Sequence, residues 1–214
     1  MKVFLGVILP TILLSTSSTP SPQFVPGEVL AKFAPATDGS AAVSRATRVT
    51  PPDLAVLVPV ISRLQAKTGV PLKATQVLSG GWVRLSIDGD GLTEQLVRQL
   101  RMRDTVAKVR VSPGEPGTPA DVSFPKTLVI TFSPGSAESK TVEQKLSDAS
   151  HPRFVALMRE LERDLDLPLK GEVSDDATLL IHIDLNAFTP ILADRIKALC
   201  EIESAQPNYI VTIK

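Results

Sequence analysis

Phe24-Val25-Pro26-Gly27-Glu28-Val29-Leu30-Ala31-Lys32-Phe33-Ala34-Pro35 is answered in the second half of the chain by Phe124-Pro125-Lys126-Thr127-Leu128-Val129-Ile130-Thr131-Phe132-Ser133-Pro134. Val70-Pro71-Leu72-Lys73 is answered by Leu167-Pro168-Leu169-Lys170, and Ile87-Asp88 by Ile183-Asp184. The separations are 99 residues (Phe33 to Phe132), 97 (Val70 to Leu167) and 96 (Ile87 to Ile183), so the drift between copies lies in loops. Solenoid units usually run ~20–50 residues, so a period near 100 marks a duplicated domain. The 214 residues therefore divide into two copies of one small unit, each large enough to fold around its own core.

Within each copy the same order of elements repeats. Glu28-Val29-Leu30-Ala31-Lys32-Phe33, bounded by Pro26-Gly27 and Pro35, reads as a short strand. A loop rich in Ala, Ser and Thr follows as far as Pro52. Asp53 is placed to cap a helix with Leu54, Leu57, Val58, Ile61 and Leu64 as its apolar stripe, and Gly69-Val70-Pro71 ends it. Thr75–Val77 and Trp82–Ile87 read as strands joined through Ser79-Gly80-Gly81, whose glycines tolerate the positive φ of a tight hairpin. A helix over 92–103 and a closing strand containing Val106, Val109 and Val111 complete the copy.

The second copy gives a strand over 127–132, a helix over 152–166, a hairpin across Ser174-Asp175-Asp176, a helix over 190–200 and a closing segment from Ile202. Strand, helix, strand, strand, helix, strand is the split βαβ order. It predicts an α+β fold of two tandem ferredoxin-like (βαββαβ) domains. Each is an antiparallel sheet with two helices on one face and an apolar face left uncovered, which invites a partner or the sister sheet.

The predicted divisions are an export signal over 1–22, a first domain over 24–113, a Pro- and Gly-rich linker over 114–123 and a second domain over 124–214. Lys2 followed by the apolar run Val3–Leu14 has the form of a signal peptide, and the run is shorter than the ~20 residues that span a bilayer. Export places the mature chain in a secreted or periplasmic compartment, with no membrane anchor once the signal is removed. Twenty-three basic and 23 acidic residues balance without long blocks, which argues against a phosphate-tracking nucleic-acid surface. Tyr209 and Trp82 are the only residues of their types, too few for a base-stacking platform.

Nothing in the chain announces catalysis. His151 and His182 are the only histidines and Cys200 the only cysteine, so neither a transition-metal site nor a nucleophile–base set is expected. His182 falls on the polar side of its strand, and His151 precedes a helix. Cys200 reads as a small buried hydrophobe at the end of the stripe Leu192, Ile196, Leu199. Asp88-Gly89-Asp90-Gly91 and Asp175-Asp176 suit turns and helix starts, and the series needed for calcium is absent. No serine sits in Gly-x-Ser-x-Gly, and no glycine series has the phosphate-binding spacing. No cofactor is expected. Trp82, directly after Gly80-Gly81, is either a core anchor or part of an interface on the uncovered face.

The opening Val25-Pro26-Gly27-Glu28-Val29-Leu30-Ala31-Lys32-Phe33 and the ending Ile202-Glu203-Ser204-Ala205-Gln206-Pro207-Asn208-Tyr209 resemble the two ends of the subtilisin propeptide, or peptidase inhibitor I9-like, family. The first copy has the opening but ends in Val109-Arg110-Val111-Ser112-Pro113. The second has the ending but opens with Pro125-Lys126. The resemblance implies a non-enzymatic domain that docks its open sheet face on a subtilisin-like serine protease, inhibiting it or assisting its folding. It also implies that the C-terminal tail lies in the protease cleft as an added strand, which makes Pro207, Asn208, Tyr209, Ile210 and Val211 the candidate cleft-binding residues. The alternative is a non-catalytic structural or interaction module whose two sheets pack on each other. A small hydrolase is the weakest reading.

Overall fold

A computed structural model describes residues 23–112, 126–145, 151–174 and 176–210. The expected export signal over 1–22 and linker over 114–123 lie outside these residues, as does Asp175. The chain has an α+β fold: two four-stranded antiparallel sheets flanked by helices. In chain order the elements of the first half are β1 (Phe24–Phe33), α1 (Asp38–Ala46), α2 (Val58–Thr68), β2 (Leu72–Val77), β3 (Trp82–Ile87), α3 (Gly89–Arg101) and β4 (Val106–Val111). Those of the second half are β5 (Leu128–Phe132), α4 (Ala137–Lys145), α5 (Pro152–Leu165), β6 (Leu169–Val173), β7 (Leu179–Ile183), α6 (Leu185–Lys197) and β8 (Ile202–Tyr209).

Local chemistry explains most of these elements and also the departures from the predicted ones. The predicted loop before Pro52 contains α1, started by Thr37, whose hydroxyl accepts from Ser40 N at 3.2 Å. Gly39 belongs at this start because a Cβ there would fall 2.1 Å from Phe33 Cδ1. Its counterpart α4 starts in the same way, with Ser139 N donating to Ser136 Oγ at 3.0 Å. Val58 leaves the predicted apolar stripe and is 59% exposed. Leu54–Leu57 form a 3-10 turn, and its tighter period rotates the following residue out of register. The helix predicted from Pro190 starts at Leu185, because Asp184 accepts from Asn186 N at 3.1 Å and Ala187 N at 3.3 Å. That cap outweighs the proline, which lies inside the helix.

The sheets do not follow the halves of the sequence. One has the order β2-β3-β1-β8 and the other β4-β5-β7-β6. Each half was expected to close its own sheet, but the closing strands are exchanged: β8 pairs with β1, and β4 with β5. The helices before them travel too. α6 packs on β1 and β8 and touches α2, whereas α3 packs on β4. Arg103, just past α3, binds Glu160 at 2.6 Å and Asp164 at 2.5 Å on α5. The first sheet is thus covered by its own α2 with the borrowed α6, and the second by its own α5 with α3 beside it.

A buried contact fixes the exchange. Thr189 on α6 has no exposed surface; its hydroxyl donates to Leu185 O at 2.6 Å and accepts from Gly27 N at 2.7 Å. Gly27 takes φ +81°, which costs an ordinary L-residue ~1–2 kcal/mol, and its N–H is thereby aimed into the helix. The crossover has a second, polar form. Thr93 on α3 donates to Gly89 O at 2.6 Å, but Lys126 stands where the first copy has Gly27 and reaches Asp90 at 2.5 Å.

Two outcomes follow. Thr189→Val leaves the Gly27 amide buried without an acceptor, so urea denaturation should show a loss of ~1–3 kcal/mol, with a smaller loss for Thr93→Val. Proteolytic cleavage between residues 113 and 125 should leave the halves associated one-to-one on size-exclusion chromatography, whereas tandem domains that each closed their own sheet would separate.

Candidate interaction surface

The residues singled out for binding gather where β8 meets β1. Pro207 is buried opposite Val29 and serves the strand pairing, not a partner's pocket. Asn208 Nδ2 donates to Glu28 Oε2 at 2.6 Å, and the same carboxylate oxygen lies 3.7 Å from Arg84 Nε. Tyr209 stands edge-on to Phe24, with ring centroids 6.4 Å apart and planes at 85°. Ile210 N donates to Gln23 O at 2.8 Å, and its side chain is exposed. Val211 lies outside the described residues. Of the five tail residues, Asn208, Tyr209 and Ile210 are therefore accessible in some degree, with Asn208 and Tyr209 tied to the first strand of the chain.

Trp82 lies on the face of its sheet turned away from the helices. Val83, Leu85 and Ile87 point inward and are buried, so the alternation of β3 turns Trp82, Arg84 and Ser86 outward. On β1 the same logic turns Glu28, Leu30 and Lys32 outward, with Lys32 opposite Trp82 and Leu30 opposite Arg84. These side chains are half-buried.

The uncovered face was expected to be apolar. It is instead polar around a small apolar centre, Leu30 with Trp82 on the diagonal, because a sheet face in contact with water is stable only when most of its side chains are polar. The second sheet repeats the design. Val129 pairs with Leu180, flanked by Arg110 opposite Val129 and Glu172 opposite Leu180. Arg84 Nε is buried with no hydrogen-bond partner among the described residues. Glu28, Leu30 and Arg84 were not singled out from the sequence, although the two-residue period of a strand over 28–33 already sets Glu28 and Leu30 on one side.

The remaining candidates for chemistry are scattered. His182 lies on the outer face of β7 opposite Lys170, and His151 occupies the cap position of α5 without a side-chain cap bond. Asp88 occupies the cap position of α3 without a side-chain cap bond. Asp176 closes the β6–β7 turn through Ser174 and Thr178, and these hydrogen bonds lower its pKa. Cys200, expected to be buried, is exposed in the turn after α6, with Sγ 3.4 Å from Glu201 Oε2. The stripe it was assigned to ends with the helix at Lys197, so the turn carries it outward. Among the described residues no group of three or more His, Cys, Asp or Glu is placed to hold a metal ion, and no helix is long and apolar enough to cross a membrane.

The base of β8 is held to α2 by Lys67, whose Nζ lies 2.6 Å from Glu201 Oε1 and 2.7 Å from Oε2. This hydrogen bond, more than the accompanying charge attraction, lowers the Glu201 pKa from its ordinary 4.5, and partial burial opposes it. A carboxylate whose folded pKa is depressed stabilises the fold fully above its unfolded value, and the effect is lost as pH falls through the folded one. Lys67→Met should therefore lower the urea midpoint at neutral pH by no more than ~1 kcal/mol equivalent. The difference from the parent protein should shrink below about pH 4 and also in high salt.

No protein-family model matches the chain, and searches of curated proteins and of solved structures returned no match.

Proposed function

We propose that this chain is a non-catalytic interaction module, built from two ferredoxin-like sheets that each borrow the closing helix and strand of the other. The exchange carries this reading, because it makes two copies of a small domain into one body by shared strands. Both sheets keep an outward face with an apolar pair at its centre and charge around it, a composition suited to a protein partner. The ionisable groups support the same view: Arg103, Glu160, Asp164, Lys67 and Glu201 are engaged in ties between elements. The charged and then apolar N-terminal run makes export to a secreted or periplasmic location part of the proposal.

A subtilisin-like protease as the partner is the second reading, and one observation favours it. The opening and the ending that resemble the propeptide family belong to different copies, yet they are neighbouring strands of one sheet, β1 and β8. The exchange reunites what each copy had kept only in part. The chain then leaves that sheet through Tyr209 and Ile210, both substantially exposed.

Adding the chain without residues 1–22 to a subtilisin assay separates the two readings. Inhibition that disappears when Ile210–Lys214 are removed, with β8 left intact, is the outcome expected for a protease partner. No inhibition at micromolar protein would remove the protease and leave the interaction module. Turnover of ester, peptide or phosphate substrates by the chain itself would overturn both.

A further inference from the structure

Each sheet ends in two edge strands: β2 and β8 in one, β4 and β6 in the other. Three of them are blunted as acceptors of another strand. β2 is irregular between Ala74 and Gln76, β8 carries Pro207 and two register shifts, and β6, though regularly paired, has Gly171 at its centre, which weakens it as a template. β4 differs. After one shift near Ala107 it runs regularly from Lys108 to Val111, with neither proline nor glycine.

We propose that the outer edge of β4, which pairs with no other strand among the described residues, is a docking site for an extended acidic peptide, which adds to this sheet as a further strand. Ser112 N donates to Thr127 O at 2.8 Å, and Arg110 and Lys108 stand opposite Val129 and Thr131. The antiparallel alternation then directs the N–H and C=O groups of Lys108 and Arg110 toward β5, and those of Ala107, Val109 and Val111 outward.

Both sides of this edge are basic. Lys108 and Arg110 project on the uncovered face, and Arg98 and Arg101 are exposed on α3 over the other. None of these four forms an ion pair with any described residue. An added strand alternates its side chains between the two faces, so carboxylates on either side meet a cation. Beside the edge, an open groove of about 480 Å3 lined by Val97, Met102 and Val111 offers an apolar seat, with Glu94 the one carboxylate among its described lining residues, against Arg98 and Arg101. Met102 is 72% exposed there.

The same features set other occupants aside. A second copy pairing β4 against β4 would bring like charges together, and its β8 is blocked by Pro207. A nucleic-acid backbone would use the cations but meet the outward carbonyls of the edge unfavourably. The site lies on the sheet that does not carry Trp82 and Tyr209, and it adjoins that sheet's own outward face, to which Arg110 belongs.

The test is fluorescence-anisotropy titration of the chain with a labelled short peptide alternating Glu and Val. Four controls accompany it: the same peptide N-methylated at alternate amides in one register, its counterpart N-methylated in the other, a Lys–Val peptide, and a single-stranded oligonucleotide of equal charge. Binding should weaken with salt and fall at least ~tenfold in Lys108→Glu/Arg110→Glu, whose exposed positions leave the thermal melt unchanged. N-methylation on the edge-facing register should abolish it. The proposal is overturned by absence of binding at millimolar peptide, or by equal binding of both N-methylated registers. Retention of affinity in the double variant, or tighter binding of the oligonucleotide, overturns it as well.

Discussion

The amide of Gly27 and the hydroxyl of Thr189 hold the two halves of this protein in their exchanged arrangement. A helix that borrows a place on another sheet needs a reason to lie there, and apolar packing alone does not distinguish one sheet from the other. The Gly27 amide is buried, so without an acceptor it costs free energy comparable to a lost hydrogen bond. Thr189 is the acceptor, and it belongs to the other half of the chain. Once α6 is seated, β8 follows it to the edge beside β1, and the remaining closing strand, β4, lies beside β5.

The two crossovers are alike in plan and different in chemistry. In one, a positive-φ glycine admits a neutral buried hydrogen bond. In the other, Lys126 makes a surface ion pair with Asp90, in which the lysine is partly covered and the aspartate largely open. The buried version is the more demanding of geometry, and it lies in the sheet that carries β1 and β8. Binding surfaces are commonly built on the better-fixed element, since a partner then meets a surface already in its final shape. The other sheet, with its ion-paired crossover, presents the basic edge.

Much of the fold was legible from residues close together in sequence. Gly69 ends α2 as its chemistry requires, whereas Asp53 caps the 3-10 turn that leads into that helix, and the outward placement of Trp82 follows from the inward run of Val83, Leu85 and Ile87. The misses have local causes. α1 and α4 have few large apolar residues, so their hydroxyl caps at Thr37 and Ser136 were the only signal. Pro190 concealed a start made by Asp184. Cys200 looked like the end of a stripe, but the helix stops before it. The candidate binding residues were legible as a group, but not that Pro207 is spent on pairing or that Asn208 is held by Glu28.

By itself the sequence determined the strands and the longer helices, their order and the faces they turn inward, because these depend on side-chain periodicity, caps and turns within a few residues. It did not determine which closing strand completes which sheet. The backbone hydrogen bonds that join strands carry no sequence label, so the pattern alone does not say which of the two sheets a closing strand joins. Only the tertiary structure decided between them, through contacts such as Gly27 with Thr189 that span more of the chain than either copy contains.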